Sequence, residues 1–433
     1  MNPLLSGLFL LVVFIFLISF GVPISVGIIL SSILTVLSTI PLDSSLQYAA
    51  QRMFNGLDNF ALLAIPFFVL AGNIMNRGGI ALRLVNLAMV IAGRTPGSLA
   101  HANIIANMLF GSISGSSVAA AAAVGSTMTP LQEKEGYDKS FSAAVNIASA
   151  PTGLLIPPSS VFIVYSLVSG GVSVAALFMA GYLPGILMGV SCMIVALIYS
   201  IKHKYFSKTT FTTKEKLMAF WNAIPSLMLI IIVIGGIVAG IFTATEGAAI
   251  AVAYSLVLSF LYRTLSLKDL WNCLVSSGLT SGIVLFLIAS SSVMSWVLSL
   301  TGIPQAITQA MLSISSNKIV LILLMNLILV AVGTFMDITA ALLIFTPILL
   351  PVATQIGMDP LHFGVMMVFN MCLGNITPPV GSVLFVGVGV AKLKLEPVVK
   401  QLVPFFIAIF IALLLVTYIP GISLLLPKLL KLV

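Results

Sequence analysis

Long apolar runs separated by short polar turns recur along all 433 residues. A helix crossing a hydrocarbon core about 30 Å thick needs about 20 consecutive apolar residues, because no water is present to satisfy a stray backbone N–H or C=O. Runs of this kind occupy 4–21, 23–40, 56–76, 182–201, 217–241, 247–262, 275–300 and 401–420. Two more, 140–168 and 361–390, contain a Pro-Pro pair and are expected to be broken helices, since proline removes a donor and clashes with the turn before it. Stretches 97–131 and 319–354 are apolar at both ends and polar in the middle, at Gly111-Ser-Ile-Ser-Gly-Ser-Ser117 and Gly333-Thr-Phe-Met-Asp337. Each is expected to be a re-entrant hairpin, because arms of about 15 residues reach only about 22 Å.

Composition agrees with residence in a lipid bilayer. Hydrophobic residues make up 60% of the chain and charged residues only 7%, against about 25% charged in soluble domains. The start, Met1-Asn-Pro-Leu-Leu, has no basic region, and a second apolar run follows Gly21-Val-Pro23, so the first two runs read as a retained helical hairpin rather than a cleaved signal. With ten crossings and two re-entrant hairpins, 15 of the 19 Lys and Arg residues fall on one face, and only Arg52, Lys318, Lys428 and Lys431 on the other. The positive-inside rule makes the first face cytoplasmic and both termini periplasmic. Counting each hairpin as two full crossings leaves this parity unchanged. The net charge of +8 does not indicate nucleic acid, because the basic residues lie in short loops and form no basic face. Cys192, Cys273 and Cys372 are far apart in apolar surroundings and suggest neither a disulfide framework nor a zinc site.

The irregular regions match each other at a constant offset of 221: Pro130 with Pro351, Gly136 with Gly357, Asp138 with Asp359, Gly153 with Gly374, and Pro157-Pro158 with Pro378-Pro379. Gly79-Ile80 and Gly302-Ile303 extend the match at a nearly equal offset. The predicted fold is therefore an all-α polytopic membrane protein built from inverted repeats, each with one re-entrant hairpin and one discontinuous helix. Its parts are scaffold helices 1–76, a first repeat unit 77–170, scaffold helices and connecting arms 171–300, a second repeat unit 301–392, and a C-terminal scaffold helix 393–433. Inverted repeats with matched broken helices point to a secondary transporter with its site at the midplane. Loosened carbonyls at a break suit a cation such as Na+, and half-helix N-termini suit a carboxylate. Pro-Pro pairs and glycine clusters also serve as packing kinks; their recurrence at the same place in both copies, each beside a polar hairpin tip, favours a site.

Asp337 is the one acid in the second hairpin and reads either as a Na+ ligand or as the cap of a short helix at the tip. Its counterpart in the first hairpin lies among Ser114, Gly115 and Ser116. Glu246 follows Thr243 by three residues, the spacing of a capping box. Arg77 reads as a cytoplasmic anchor, Glu133 to Lys139 as a solvated turn, and Ala119 to Ala123 as a surface for close helix packing. His101, His203 and His362 are isolated and lack the spacing of metal ligands. With no Walker loop and no His-Glu-x-x-His, the chain is expected to draw its energy from an ion gradient or another subunit, and not to be an enzyme.

Five segments carry a family resemblance: Ala64-Ile-Pro-Phe-Phe-Val-Leu-Ala-Gly-Asn-Ile-Met-Asn-Arg-Gly-Gly79, Gly111-Ser-Ile-Ser-Gly-Ser116, Gly153-Leu-Leu-Ile-Pro-Pro-Ser159, Thr243-Ala-Thr-Glu-Gly247 and Gly374-Asn-Ile-Thr-Pro-Pro-Val-Gly381. They occur in order along nearly the whole chain, which resembles the large membrane subunit of tripartite ATP-independent periplasmic (TRAP) transporters. Gly93-Arg-Thr-Pro-Gly-Ser-Leu-Ala-His101 is most similar to the sialic acid branch. The resemblance implies Na+-coupled import of a carboxylate across the bacterial inner membrane by an elevator motion. It also implies a separate small membrane subunit of four helices and a periplasmic substrate-binding protein. It places one Na+ at Ser114 with Gly153, Ile156 and Pro158, a second at Gly333, Asp337, Gly374, Thr377 and Pro379, and the substrate carboxylate near Ser116 and Asn375. C4-dicarboxylate transport by the same machinery is the alternative within this class. An anion channel using the same helix ends, or a membrane-embedded enzyme, are the alternatives outside it.

Overall fold

The structure, a computed structural model, describes residues 2–206, 212–315, 317–378 and 380–433. Among these, every regular element is a helix. The first part runs α1 (Pro3–Ser19), α2 (Ile24–Val36), α3 (Leu42–Leu57), a 3-10 turn (Phe60–Leu63), α4 (Ala64–Arg77) and α5 (Ile80–Ala92). The first hairpin is α6 (Ser98–Ser114) and α7 (Ser117–Lys134), followed by α8 (Lys139–Ser149), α9 (Thr152–Leu155) and α10 (Ser160–Val168). Then come α11 (Val174–Lys202), α12 (Thr213–Val238), α13 (Ala244–Leu261), α14 (Leu267–Thr301) and α15 (Ile303–Ile314). The second hairpin is α16 (Lys318–Phe335) and α17 (Ile338–Gln355), followed by α18 (Pro360–Gly374), α19 (Ser382–Ala391), α20 (Leu395–Tyr418) and α21 (Gly421–Leu429).

The duplication seen in the sequence is a duplication of elements. From α6, α7, α8, α10 and α11 to α16, α17, α18, α19 and α20, the starting residues lie 220 to 222 apart. Equivalent residues do equivalent work at the ends. Asp138 Oδ1 accepts from the Phe141 amide at 2.8 Å, and Asp359 Oδ1 from the Leu361 amide at 2.7 Å, so both aspartates cap the broken helices. Glu246 forms the expected capping box, accepting from the Thr243 amide at 2.8 Å. Packing between the copies is reciprocal: α7 lies on α19, and α17 on α10, as in a two-fold related pair.

Among the described residues eight helices are long and apolar enough to cross a bilayer, the 3-10 turn and α4 counted as one, and α8–α9 with α10, bent by 51°, is a ninth candidate. Between the bases of the two hairpins the chain makes five passes: the bent pair, α11, α12, α13 and α14. An odd number puts the two bases on opposite faces, so the copies are inverted. Both arms of the second hairpin pass the length test, having 18 residues each, and the first hairpin's arms have 17 and 18. Neither arm of the first hairpin is among the candidate spans, as expected, whereas both arms of the second are long enough to cross, so length does not account for re-entry there. Re-entry follows instead from where the tips lie: two hairpins rooted on opposite faces bring their tips to one cavity, so neither passes through.

Other expectations are corrected. The run 23–40 ends as helix at Val36, where the Ser38 and Thr39 hydroxyls bond back to Thr35 and Val36 carbonyls and Pro41 follows. Helices α3, α5, α15 and α21 lie where no crossing was expected. They are 9 to 16 residues long and amphipathic, too short to span. The runs at 182–201 and 275–300 are the inner parts of the longer helices α11 and α14. Arg77, expected as an anchor, pairs with Asp269 at 3.3 Å, tying α4 to α14.

Candidate functional site

Each hairpin meets its own broken helix through glycine. A Cβ on Gly153 would lie 2.2 Å from the Gly111 Cα, and one on Gly374 would lie 2.5 Å from the Gly333 Cα. No side chain fits at either crossing, so these four positions let backbone approach backbone at membrane depth. Beyond the crossings the breaks open. Pro157 and Pro158 offer no N–H to the carbonyls of Gly153 and Leu154, and Ile156 is extended at ψ 123°. In the second copy Pro378 removes the N–H that would have served Gly374, whose carbonyl takes the Thr377 amide at 2.9 Å instead. Gly381 then crosses close over the carbonyls of Asn375 and Thr377, where a Cβ would lie 2.8 and 2.9 Å from the two oxygens, and donates to the Thr334 carbonyl at 3.2 Å. Pro379 lies outside the described residues.

The tips are equivalent to the residue. Ser116 caps α7, accepting from the Ala119 amide at 3.2 Å; Asp337, 221 positions on, caps α17, accepting from the Thr339 amide at 2.9 Å. Asp337 is thus the cap that the sequence allowed, and its carboxylate is exposed to the cavity rather than embedded among apolar side chains. Ser114 is nearly buried, its hydroxyl 3.4 Å from the Ser116 carbonyl, and Ser160 donates to the Gly115 carbonyl at 3.4 Å. The first tip is held close against α4 at Gly72, where a Cβ would lie 2.7 Å from the Ser114 carbonyl.

Ser114, Ser116, Asp337 and Asn375 all line a single cavity of about 620 Å³. Gly153, Ile156, Gly333, Gly374 and Thr377 stand behind this wall, at the crossings and breaks, and Pro158 borders a small gap next to Ile113. Asn375 joins the copies: its Nδ2 donates to Ser117 Oγ of the first tip at 3.3 Å, and its Oδ1 accepts from the Ser382 amide at 3.1 Å and the Ser382 hydroxyl at 2.5 Å. The opposite wall comes from outside the hairpins and broken helices: Pro23 and Ser25 at the start of α2, Asn73 and Asn76 on α4, and Thr280 on α14. Sequence reasoning missed Asn73 and Asn76; their signal was two amides three residues apart, hence on one face, near the end of an apolar span. The cavity opens on the face where α4 ends and α2 begins, the face that carries Arg77 and Lys268.

Asp337 is the one formally charged residue among those lining the cavity. The helices α2, α7, α10 and α17 begin at it, and Asn375, which accepts from the first amide of α19, lines it as well, so several positive dipole ends face the same space. At α17 the Asp337 carboxylate answers that charge, whereas at α7 the cap is a neutral serine. Among the described residues no three His, Cys, Asp or Glu side chains converge as a metal group. Carbonyls, hydroxyls and this carboxylate are the donors at the cavity and the breaks, an oxygen set that suits a hard cation.

A family model described as "Tripartite ATP-independent periplasmic transporter, DctM component" matches residues 11–422. The chain is 55% identical over 416 residues to "Uncharacterized protein YgiK" of Salmonella typhimurium, covering 96% of each. It is 40% identical to the C4-dicarboxylate TRAP transporter large permease protein DctM of Vibrio cholerae, covering 95% of each. To the sialic acid TRAP transporter large permease protein SiaM of Vibrio cholerae it is 38% identical, covering 89% of this chain and 90% of that one. The crystal structure of the Alcanivorax borkumensis YdaH transporter shares the fold, with a TM-score of 0.63 at 13% identity over 87% of this chain and 89% of that one. Large permeases of the matched family work with a small membrane subunit and a periplasmic binding protein. The chain belongs to the DctM-component family of TRAP transporters: it is a multi-pass transporter subunit of the bacterial inner membrane and not an enzyme.

Proposed function

We propose that this subunit imports a carboxylate-bearing solute driven by Na+, with both termini in the periplasm. The observation that carries the reading is the meeting of two inverted hairpin tips and two helix breaks around one inward-open cavity. The substrate carboxylate binds at the first tip, where the α7 and α10 N-termini are uncompensated and Ser116, Ser117 and Asn375 supply donors. One Na+ lies behind that tip with Ser114, Gly153, Ile156 and Pro158. The second lies behind the other tip with Gly333, Asp337, Gly374, Thr377 and Pro379. In both places the breaks provide carbonyls that a continuous helix would have used internally.

Transport then takes the form of an elevator: the hairpins and broken helices, joined by the glycine crossings and by Asn375, move as a body past α2, α4 and α14. A periplasmic binding protein delivers the solute, and a separate four-helix subunit enlarges the static part. Sialic acid is the first candidate, on the likeness of Gly93 to His101 to that branch; a C4-dicarboxylate is the second, supported by the Vibrio cholerae DctM relative. The test is uptake into proteoliposomes holding all three components, with Na+ and solute varied independently. Accumulation should require an inward Na+ gradient. Accumulation that persists without one, or ionic currents indifferent to Na+, would overturn the coupling and favour a channel.

A further inference from the structure

A second polar cavity, of about 600 Å³, lies on the periplasmic side of the same boundary between scaffold and hairpin units. Its scaffold wall is Arg52, Asn55, Asp58 and Asn59, from α3 and the turn after it, with Ser295 and Ser299 of α14. Its other wall is the end of α10, Gly170 and Pro347 of α17. Arg52 is one of only four basic residues on that face of the protein, and no carboxylate lies within ion-pair distance of it among the described residues. None of the residues assigned above to substrate or Na+ lines this chamber. Arg52 and Asn55 share one face of α3, being three residues apart.

We infer that this chamber is a capture site for a hydroxylated carboxylate on its way to the tips, with Arg52 holding the carboxylate and Asp58 selecting against a second one. The inference rests on the carboxylate-import reading above. Guanidinium presents a planar pair of donors that matches a carboxylate and retains its charge at any working pH. Asp58, Asn55, Asn59 and the α14 serines offer acceptors and donors to hydroxyl groups. A linear dicarboxylate would set its far carboxylate against Asp58, a like-charge contact that lowers its affinity. The site belongs to the wall that stays still in an elevator, so a solute released there meets the hairpin unit when that unit faces outward.

The experiment uses the complete three-component transporter in proteoliposomes and three probes: sialic acid, 2,3-diketo-L-gulonate and succinate. The wild type should take up a hydroxylated acid in preference to succinate. Arg52→Ala should raise the concentration for half-maximal uptake at least tenfold with the maximal rate and Na+ dependence little changed, and Arg52→Lys should recover part of the loss. Asp58→Asn should raise succinate uptake relative to the hydroxylated acids, a gain that misfolding does not mimic. Unchanged half-maximal concentrations in Arg52→Ala, or a wild type that prefers succinate, would overturn the capture site while leaving carboxylate import standing. Equal weakening of the attachment of the empty binding protein would make Arg52 a docking residue and overturn the site as well. Accumulation of a hydroxylated acid that persists without a Na+ gradient would overturn the Na+-driven import reading, whichever way the Arg52 variants behave.

Discussion

Ser116 and Asp337 occupy the same position in the two copies and perform the same local task, yet one carries a charge and the other does not. Asparagine caps helices about as well as aspartate. Asp337→Asn should therefore keep α17 intact while removing the negative charge. The Na+ concentration for half-maximal uptake is expected to rise at least fivefold; an unaltered Na+ curve would take Asp337 out of the ion site. Asn375 has a different character, because it is buried and joins Ser117 to Ser382. Asn375→Ala leaves those partners unanswered, which costs about 1–3 kcal/mol. Both a lower Tm and weaker substrate binding should follow; weaker binding with unchanged stability would give Asn375 a role in the ligand site alone.

The glycine crossings can be tested one helix at a time. Gly374→Ala drives a methyl group toward the Gly333 backbone, an overpacking that costs about 1–3 kcal/mol. Gly389→Ala, in the same broken helix but with nothing within 4 Å of the added Cβ, should be neutral or stabilising by about 0.5–1 kcal/mol. Thermal unfolding of the two variants checks this, and equal effects would refute the crossing as a tight contact. These elements were the most legible part of the chain, because Gly153-to-Pro158 and Gly374-to-Pro379 repeat at one offset and both breaks follow from proline's missing N–H. Helices α3, α5 and α15 were not legible by the same route. A search for crossings rewards continuous apolarity, and amphipathic helices lying along the scaffold have polar residues on one face. Likewise the family resemblance pointed to Ser116 and Asn375, whereas Asn73, Asn76 and Thr280 enter the cavity only through the packing of α4 and α14 against units distant in sequence.

Two polar chambers open at different levels of the boundary between the hairpin units and the other helices, and their sidedness can be measured. All three native cysteines are buried, so an introduced thiol has little background. In intact vesicles of known orientation, Asn76→Cys should react with a membrane-impermeant thiol reagent from the cytoplasmic side, and Ser295→Cys from the periplasmic side. The reverse pattern would invert the assignment of faces drawn from the loop charges. Protection of Asn76→Cys when Na+ and substrate drive the hairpin units outward would add support for their motion as a body.

Helix α14 walls both chambers, with Thr280 in the inner one and Ser295 in the outer one. At 1.5 Å per residue those two side chains are separated by about 22 Å along a single unbroken rod. That rod is a ruler. The two linings meet on it, Leu287 bordering one chamber and Ile288 the other, so shortening the rod by a turn between Thr280 and Ser295 should change how far a passenger travels between the polar groups of the two chambers.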